Sequence, residues 1–398
     1  MRSLIDFVYI TLADFIVRVA YQMGKTPLLP IFAATLGATD AFLGFIVSVS
    51  TIAGILFKPL IGILSDRWGR RWWLIIGTTF FAGVPFLYYF IHGPEQLLVI
   101  RLIHGCATAI YGPVTVAYVV EQKRDRRAER LGWFSMARSG GYILGPALAG
   151  WLLLVMKPID IFMVIGILSS FAFVPVLLLS DSKQLFEKPK PRSIPQQIFQ
   201  ALKFGSLTPA VWLSGSLEFT VYIALYAAKV FLPIYSLSMG INVALVGTFF
   251  ALQEAIYVFF KPLGGRLGDR YGYLKTISIG MANIGCMLPL LTLTSNSFSL
   301  LLLAAFIGSS QALIFPSTII LISNQINEEY IGAGIGLVGM LKNSGKVIGP
   351  ILGGLLVGWF SFAVMFWILG SLLILGALVV HILANRLYGN TKEVDSYT

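Results

Sequence analysis

Residues 57–71 read FKPLIGILSDRWGRR, and residues 260–274 read FKPLGGRLGDRYGYL. The two stretches are identical at nine of fifteen positions and lie 203 residues apart. The same offset relates Gly105 to Gly308 and Pro113 to Pro316. A chain that repeats itself over half its length is built from two related halves. Two parallel repeats about an axis along the membrane normal, with a site between them, are a transporter design.

The composition indicates a membrane protein. Hydrophobic residues make up 57% of the 398 residues and charged residues only 12%, whereas soluble proteins carry about 25% charged residues. Disorder is excluded as well, because disordered chains are poor in apolar residues. Three histidines and two cysteines are too few for a rich metal site, and we expect neither a metal nor a cofactor.

The apolar residues are grouped into about twelve runs, each close to the roughly 20 residues that cross a bilayer as a helix. We therefore expect an all-α membrane protein with twelve transmembrane helices in two pseudo-symmetric six-helix bundles. The runs are approximately 5–36, 41–65, 72–92, 97–120, 131–156, 160–180, 209–238, 243–266, 274–293, 298–323, 332–358 and 362–385.

The basic residues give the orientation. With the N-terminus inside, the inner segments carry 19 basic residues and the outer loops carry one, Lys157. Because short basic loops stay in the cytoplasm, both termini are expected there, in a multi-pass protein of the cell membrane. This asymmetry explains the net charge of +11 without nucleic acid as a partner. We expect a monomer.

The hydrophilic stretch 181–208 is rich in Pro, Lys and Gln. We predict a cytoplasmic linker there, between an N-terminal bundle at 1–180 and a C-terminal bundle at 209–398 that ends in a short cytoplasmic tail. Residues 193–204 place apolar side chains on one helical face, which fits an interfacial helix as well as a plain linker.

The loop after the second run combines glycines, a carboxylate and several guanidinium groups. Glycine permits tight turns, and such a charge cluster can pair neighbouring helices in one state and release them in another. The pattern resembles the signature loop of the major facilitator superfamily, and with the repeat and the twelve runs the resemblance covers essentially the whole chain. In the second copy, Tyr273 replaces the arginine that matches Arg70. The predicted cytoplasmic gating motif consists of Gly62, Asp66, Arg67, Gly69, Arg70, Asp269 and Arg270.

Two runs contain related Gly-Pro segments, GYILGPALAG at 141–150 and GKVIGPILGG at 345–354. Small residues at a spacing of four let helices pack closely, and proline can kink a helix. The predicted helix-bend residues are Gly141, Gly145, Pro146, Gly345, Gly349 and Pro350. The first segment also resembles the motif of drug:proton antiporters, with Ala149 where that branch has Gly. Arg101-Leu-Ile-His104-Gly105 is similar to the superfamily's membrane-embedded arginine motif, with His104 where Gln is usual.

Ionisable residues also occur inside the apolar runs. A charge at a helix centre costs about 2.5–3.5 kcal/mol on insertion scales, so such residues face a cavity or a partner. Two rows of polar side chains at helical spacing, one at 14–25 and one at 218–229, are related by an offset of 204. We call these rows helical stripes. In the superfamily, spans 1, 4, 7 and 10 line the central cavity, so the resemblance implies that both stripes face the substrate. The cavity candidates are Arg18, Gln22, Lys25, Arg101, Tyr222, Tyr226, Lys229 and Lys346; the proton-coupling candidates are Asp14, Glu218, Glu254 and His104.

An alternative interpretation is that these charges form ion pairs that fix helix packing, and Asp14 and Arg18 are spaced to pair within one helix. Two pairs of repeat mates lie nearer the cytoplasmic ends, where they either act in the cavity or snorkel to the interface. These are Lys58 with Lys261 and Arg138 with Lys342.

The function expected from these patterns is secondary transport and not enzymatic catalysis. Direct ATP drive is unsupported, because the sequence has no GxxxxGKS or GxxxxGKT loop. The resemblance implies proton-coupled efflux of amphiphilic or drug-like molecules, with a small-molecule substrate, protons and the lipid bilayer as partners. Nine basic and three acidic residues at membrane depth leave open an organic anion, a zwitterion or a lysolipid-like substrate. A membrane-embedded lipid enzyme and a non-transporting sensor are further alternatives.

Overall fold

The computed structural model describes residues 2–121, 126–180, 208–294, 296–323 and 331–394, and the regular elements in these ranges are all helical. The predicted linker at 181–208 lies outside the described residues except for Thr208. The helices are α1 Arg2–Met23, α2 Leu29–Thr35, α3 Asp40–Trp68, α4 Arg70–Leu87, α5 Pro94–Glu121, α6 Arg127–Leu152, α7 Pro158–Ser170, α8 Phe173–Leu178, α9 Pro209–Ser238, α10 Val243–Tyr271, α11 Tyr273–Leu290, α12 Ser297–Ser323, α13 Ile331–Trp359 and α14 Phe362–Val394.

Eight of the described helical segments are long and apolar enough to cross a membrane. They lie on α3, α4, α5, α7 with α8, α9, α10, α12 and α14. The remaining four predicted runs coincide with the helices α1, α6, α11 and α13. The helical membrane fold is therefore present, while the count of twelve spans and the cytoplasmic termini stay predictions.

The first predicted run is one helix in the sequence analysis but is interrupted in the structure. A π-helical segment, Gly24–Leu28, separates α1 from α2, and Thr26 within it has extended backbone angles. Pro27 follows Thr26, and the residue before a proline is pushed out of the α region. Lys25 lies in this segment, two residues beyond the end of α1.

The repeat is also visible in the backbone turns. Gly37 and Gly240 have φ angles of 81° and 73°, and Gly69 and Gly272 have 86° and 92°. Each pair is separated by 203 residues. Only glycine adopts these angles without strain, so the glycines at the start of α4 and α11 are required by the turn.

The chain divides into two compact units. The first contains the described residues of Met1–Pro189 and Lys229–Ala251, and the second those of Lys190–Ala228 and Leu252–Thr398. In the first unit, α1 packs against α6 and α3 against α5; in the second, α11 packs against α12 and α14. The domain boundaries predicted from the sequence stay predictions.

Glycines of the two Gly-Pro segments lie at helix crossings within each unit. A Cβ atom on Gly145 of α6 would lie 2.9 Å from the Val19 carbonyl oxygen of α1. A Cβ atom on Gly349 of α13 would lie 2.9 Å from the Ile223 Cα of α9. The backbones approach closely in both units because these positions carry no side chain. The bend proposed at Pro146 and Pro350 stays a prediction.

Candidate functional site

The first unit holds a buried carboxylate between two guanidinium groups. Asp14 of α1 is 1% exposed. Its Oδ2 accepts a hydrogen bond from Arg138 Nε at 2.9 Å, and its Oδ1 accepts one from Arg138 Nη2 at 2.9 Å and one from Arg18 Nη2 at 3.3 Å. Arg138 Nη2 also donates to Thr115 Oγ1 at 3.0 Å. We call Asp14, Arg18, Thr115 and Arg138 the Asp14 cluster.

Aromatic rings complete the Asp14 cluster. The Arg138 guanidinium carbon lies 4.6 Å from the centre of the Phe134 ring, and that of Arg18 lies 5.6 Å from the centre of the Tyr142 ring. Such cation–π contacts help to hold a charge away from water. The Asp14 cluster therefore fixes both cations by ion pairs and ring contacts at once.

The second unit holds a carboxylate with a looser set of partners. Glu218 of α9 is 3% exposed. Its Oε1 accepts a hydrogen bond from Thr318 Oγ1 of α12 at 2.7 Å, and its Oε2 lies 3.4 Å from Lys342 Nζ of α13. Oε2 has no aligned hydrogen bond among the described residues. Glu218 is thus paired with the ammonium group of Lys342, whereas Asp14 is paired with a guanidinium group that binds both of its oxygens.

Lys342, an ion-pair partner of Glu218, belongs to a group of two lysines and three rings. Lys342 Nζ lies 4.9 Å from the centre of the Tyr222 ring, and Lys346 Nζ lies 4.8 Å from the same centre. Tyr222 stacks on Phe315 with 4.9 Å between ring centres, and Tyr226 lies 5.8 Å from Tyr222. We call Glu218, Tyr222, Tyr226, Phe315, Thr318, Lys342 and Lys346 the Glu218 cluster.

The two clusters are repeat mates. Asp14 corresponds to Glu218 and Arg138 to Lys342 at an offset of 204, and Thr115 corresponds to Thr318 at an offset of 203. Each unit therefore contains one carboxylate, one cation from the fifth helix of its repeat and one threonine. Both threonines were missed by the sequence analysis, although the 203-residue offset was available as a signal for them.

Arg101 forms a separate buried site in the first unit. It is 2% exposed and donates from Nη2 to Ser50 Oγ at 2.6 Å. His104, one turn further along α5, lies 3.4 Å from the Tyr88 hydroxyl through Nδ1. Among the described residues Arg101 Nε and His104 Nε2 have no hydrogen-bond partner, and Arg101 forms no ion pair. The repeat mate of Arg101 is Ala304, so this site has no counterpart in the second unit.

The remaining cavity and proton candidates lie outside the two clusters. Gln22 is buried under Gly145, and the Lys25 ammonium lies 5.8 Å from the centre of the Tyr21 ring. Lys229 and Glu254 are half-buried. Within the described part of the chain, Glu254 makes no ion pair, so the structure does not join it to Glu218.

The predicted gating loop is held by Glu121, which the sequence analysis did not single out. Arg70 donates from Nε and Nη2 to the two carboxylate oxygens of Glu121 at 2.7 and 2.5 Å, and from Nη1 to Ser65 Oγ at 3.0 Å. Arg67 is exposed, and the side chain of Asp66 lies outside what the structure describes. Glu121 ends α5, so Arg70 ties the start of α4 to the end of α5.

The second copy of the loop uses a different contact. The Tyr273 hydroxyl donates to Asp269 Oδ1 at 2.7 Å, and Arg270 lies over the ring of Tyr271 at 5.3 Å. The tyrosine that replaces the arginine therefore bonds within its own loop. Gly62 is helical, with no atom within 4 Å of a Cβ placed there.

An all-helical bundle with a duplicated sequence and buried ionisable groups defines a secondary transporter of the membrane. The chain belongs to the Major Facilitator Superfamily, whose sequence profile matches residues 11–252 and again residues 215–396. It is therefore a multi-pass transport protein of the cell membrane that moves small molecules, as the loop motif predicts.

Three similar proteins agree with this assignment. An uncharacterised MFS-type transporter of Methanocaldococcus jannaschii is 25% identical over 349 residues, which are 85% of this chain and 88% of the relative. The quinolone resistance protein NorA of Staphylococcus aureus is 25% identical over 337 residues, which are 83% of this chain and 84% of NorA. A mutant of the nucleoside transporter NupG has a TM-score of 0.79 at 16% identity and covers 95% of this chain and 99% of its own.

Proposed function

We propose that this protein exports amphiphilic, drug-like small molecules in exchange for protons, by alternating access. The similarity to the quinolone resistance protein NorA and the antiporter-like segment at 141–150 support export. The observation that carries proton coupling is the buried Glu218, which faces a single ammonium group at 3.4 Å. A coupling group must gain and lose its proton as its access to water changes, and a carboxylate in a low-dielectric site meets that need.

Glu218 suits this role better than Asp14. Protonation of Asp14 would leave two guanidinium groups without their carboxylate, those of Arg18 and Arg138, whose side chains are 12% and 22% exposed. This is costly because removing one partner of an ion pair withdrawn from water leaves the other charge uncompensated. Protonation of Glu218 would release only Lys342, whose side chain is 31% exposed and can be solvated. We therefore propose Glu218 as the proton carrier and Asp14 as a positioning residue for α1, α5 and α6.

The other candidates have supporting roles in this proposal. Arg101 cannot lose its proton, and we propose that it attracts an anionic group or favours the charged form of a carboxylate during the cycle. Gln22, Lys25, Tyr226 and Lys229 are proposed to contact substrate. The bond between Arg70 and Glu121 is proposed to open and close with the transport cycle as the cytoplasmic gate.

A second candidate is the transport of an organic anion, a zwitterion or a lysolipid-like molecule. The observation that favours it is the position of Lys342 and Lys346 over one ring, Tyr222. A site for simple lipophilic cations would carry more acidic than basic groups.

Purified protein in liposomes with an imposed pH gradient tests both candidates. Uptake of ethidium into inside-acidic vesicles and uptake of a fluorescent aromatic carboxylate are measured side by side. We expect the gradient to drive flux of at least one probe and the Glu218→Gln variant to lose the pH dependence. The Glu95→Gln variant, which removes a carboxylate at the start of α5, is the matched control.

The assignment of Glu218 as the proton carrier is wrong if Glu218→Gln keeps full gradient-driven flux at normal expression. Flux that does not respond to the gradient would point to another coupling ion. Binding without any flux would favour a sensor.

A further inference from the structure

We infer that the transported molecule carries an acidic group attached to an aromatic or apolar body, and that Lys342 and Lys346 bind the acidic group. This inference rests on the proposed transport function and names its substrate class. It concerns only the Glu218 cluster of the second unit, where the rings of Tyr222 and Tyr226 supply the contact for the apolar body.

Positive charge is concentrated at this point. The ammonium groups of Lys342 and Lys346 lie 4.9 and 4.8 Å from the centre of the same ring, Tyr222. Lys346 also lies 5.5 Å from the centre of the Tyr226 ring, and Lys342 lies 5.4 Å from that of Phe315. Two like charges at one ring repel each other in a medium of low dielectric constant. An acidic group that contacts both ammonium groups removes this repulsion.

Lys342 is able to turn toward such a ligand. Its ion pair with Glu218 spans 3.4 Å without an aligned hydrogen bond, and its side chain is 31% exposed while that of Glu218 is 3% exposed. A lysine ammonium has three rotatable donors on a flexible stem. When Lys342 turns away, Thr318 still donates to Glu218 Oε1, so the carboxylate keeps one partner.

The cation of the first unit that is equivalent to Lys342, Arg138, does not offer this freedom. Arg138 makes two 2.9 Å bonds to Asp14 and a third to Thr115. A bidentate guanidinium pair is among the stronger polar contacts in proteins, so a ligand would have to break three bonds to recruit Arg138. The recruitable lysines therefore place the acidic group in the second unit.

A purely cationic aromatic molecule fits this position poorly. To reach Glu218 beside Lys342, it would approach two ammonium groups that already share one ring. A zwitterion satisfies the arrangement, since its cationic group can pair with Glu218 while its acidic group binds the lysines. The shared requirement is the acidic group.

The test uses full-length protein in detergent at one pH and measures ligand-induced shifts of the thermal unfolding midpoint. The probes are 2-naphthoate, its methyl ester and 2-naphthylmethylamine, which share one ring system, together with lysophosphatidate and lysophosphatidylcholine. We expect an acidic probe to bind at least tenfold tighter than its neutral or cationic counterpart. Preference for naphthoate identifies free aromatic acids as the source of the acidic group, and preference for lysophosphatidate identifies a lipid headgroup.

Variants locate the binding site. Lys346→Gln should weaken the binding of the preferred acid at least tenfold, and Lys346→Arg should restore most of the affinity. Lys157→Gln removes one positive charge from an outer loop and should leave affinity unchanged. Lys342 is an ion-pair partner of Glu218 in the structure, so the replacement of Lys346 tests ligand binding while the contact between Lys342 and Glu218 is kept.

The inference is overturned if the amine binds as tightly as naphthoate and lysophosphatidate, or if Lys346→Gln leaves acid affinity unchanged. These outcomes are separable from failure of the proposed function. Gradient-driven flux of ethidium with no acid binding contradicts this inference alone. Acid binding without any gradient-driven flux supports the inference and contradicts proton exchange.

Discussion

The Asp14 and Glu218 clusters are the same arrangement in two forms. Each has a carboxylate that is at most 3% exposed, a basic residue and a threonine, and each of these residues is the repeat mate of its counterpart in the other cluster. In the first unit the cation is Arg138, with two 2.9 Å bonds to the carboxylate; in the second it is Lys342, with one contact at 3.4 Å. Both units therefore keep the charge pairing, while the strength of the pairing differs between them.

A cation–π contact between the first and fifth helices of each repeat also differs between the units. In the first unit a cation on α1, Arg18, lies over a ring on α6, Tyr142. In the second unit the equivalent positions are exchanged, because Tyr222 on α9 supplies the ring and Lys346 on α13 supplies the cation. Both pairs are related by the offset of 204. The helix pair keeps a cation–π contact in each unit, although the residue types have changed places.

The largest expected effect comes from removing the cation of each carboxylate. Arg138→Met should lower the free energy of unfolding by about 3–5 kcal/mol, the cost of stranding a buried charge. Lys342→Met should lower it by about 1 kcal/mol, near the average for polar contacts between membrane helices, because the unpaired Glu218 can take up a proton while Thr318 still donates to it. Denaturant unfolding of both variants in one detergent measures the difference.

The proposed difference in strength between the two ion pairs is wrong if Lys342→Met lowers the free energy of unfolding as much as Arg138→Met does. Equal losses would mean that the Glu218 pair is as tightly held as the Asp14 pair. Binding of 2-naphthoate to the Arg138→Met variant is the accompanying control for fold, since Arg138 is not assigned to the ligand whereas Lys342 is.

The glycine crossings should respond alike in both units. Gly145→Ala on α6 and Gly349→Ala on α13 should each cost about 1–3 kcal/mol, because the added methyl group overpacks a crossing between backbones. Gly83→Ala on α4 is the control, since no atom lies within 4 Å of a Cβ at that position. Thermal midpoints measure all three, and a loss in only one unit would show that the crossings are not equivalent.

Much of the fold followed from the sequence, for identifiable reasons. The apolar runs predicted the helices because a membrane requires long uninterrupted apolar stretches. The repeat indicated that Asp14 and Glu218, and also Arg138 and Lys342, occupy equivalent positions. The first run was interrupted at Gly24–Leu28, which a hydropathy average over about 20 residues does not register because the segment is short. The Thr26-Pro27 pair was the available signal, since the residue before a proline is pushed out of the α region.

The partners within the clusters were harder to predict. A helical stripe identifies a face of one helix, but it does not say which neighbouring helix meets that face. The pairing of Asp14 with Arg138, 124 residues away, therefore stayed open, and snorkelling was an equal alternative for Arg138 and Lys342. Glu121 was missed for the same reason, since it lies 51 residues from Arg70.

The loop contacts should show a smaller difference between the two copies. Arg70→Lys removes the bidentate bond to Glu121 and should cost about 1.5–2 kcal/mol, at the low end of the range for hydrogen bonds to charged groups. Tyr273→Phe removes a single exposed bond to Asp269 and should cost about 0.5 kcal/mol. Thermal midpoints measure both, and Arg67→Lys, an exposed position in the first loop, is the control.

The smallest expected effect concerns the exchanged cation–π contacts, and double-mutant cycles measure it. Arg18→Gln and Tyr142→Leu should show a coupling of about 0.5–1 kcal/mol in the first unit. Lys346→Gln and Tyr222→Leu should show a coupling of the same sign in the second. Each cycle subtracts the cost of losing either side chain alone, so it isolates the contact between cation and ring. If both couplings are favourable, the contact stabilises each unit although the residue types are exchanged. A zero coupling for Tyr222 and Lys346 would mean that Lys346 is held near the ring by its other contacts, and that the resemblance of the two clusters ends at their carboxylates.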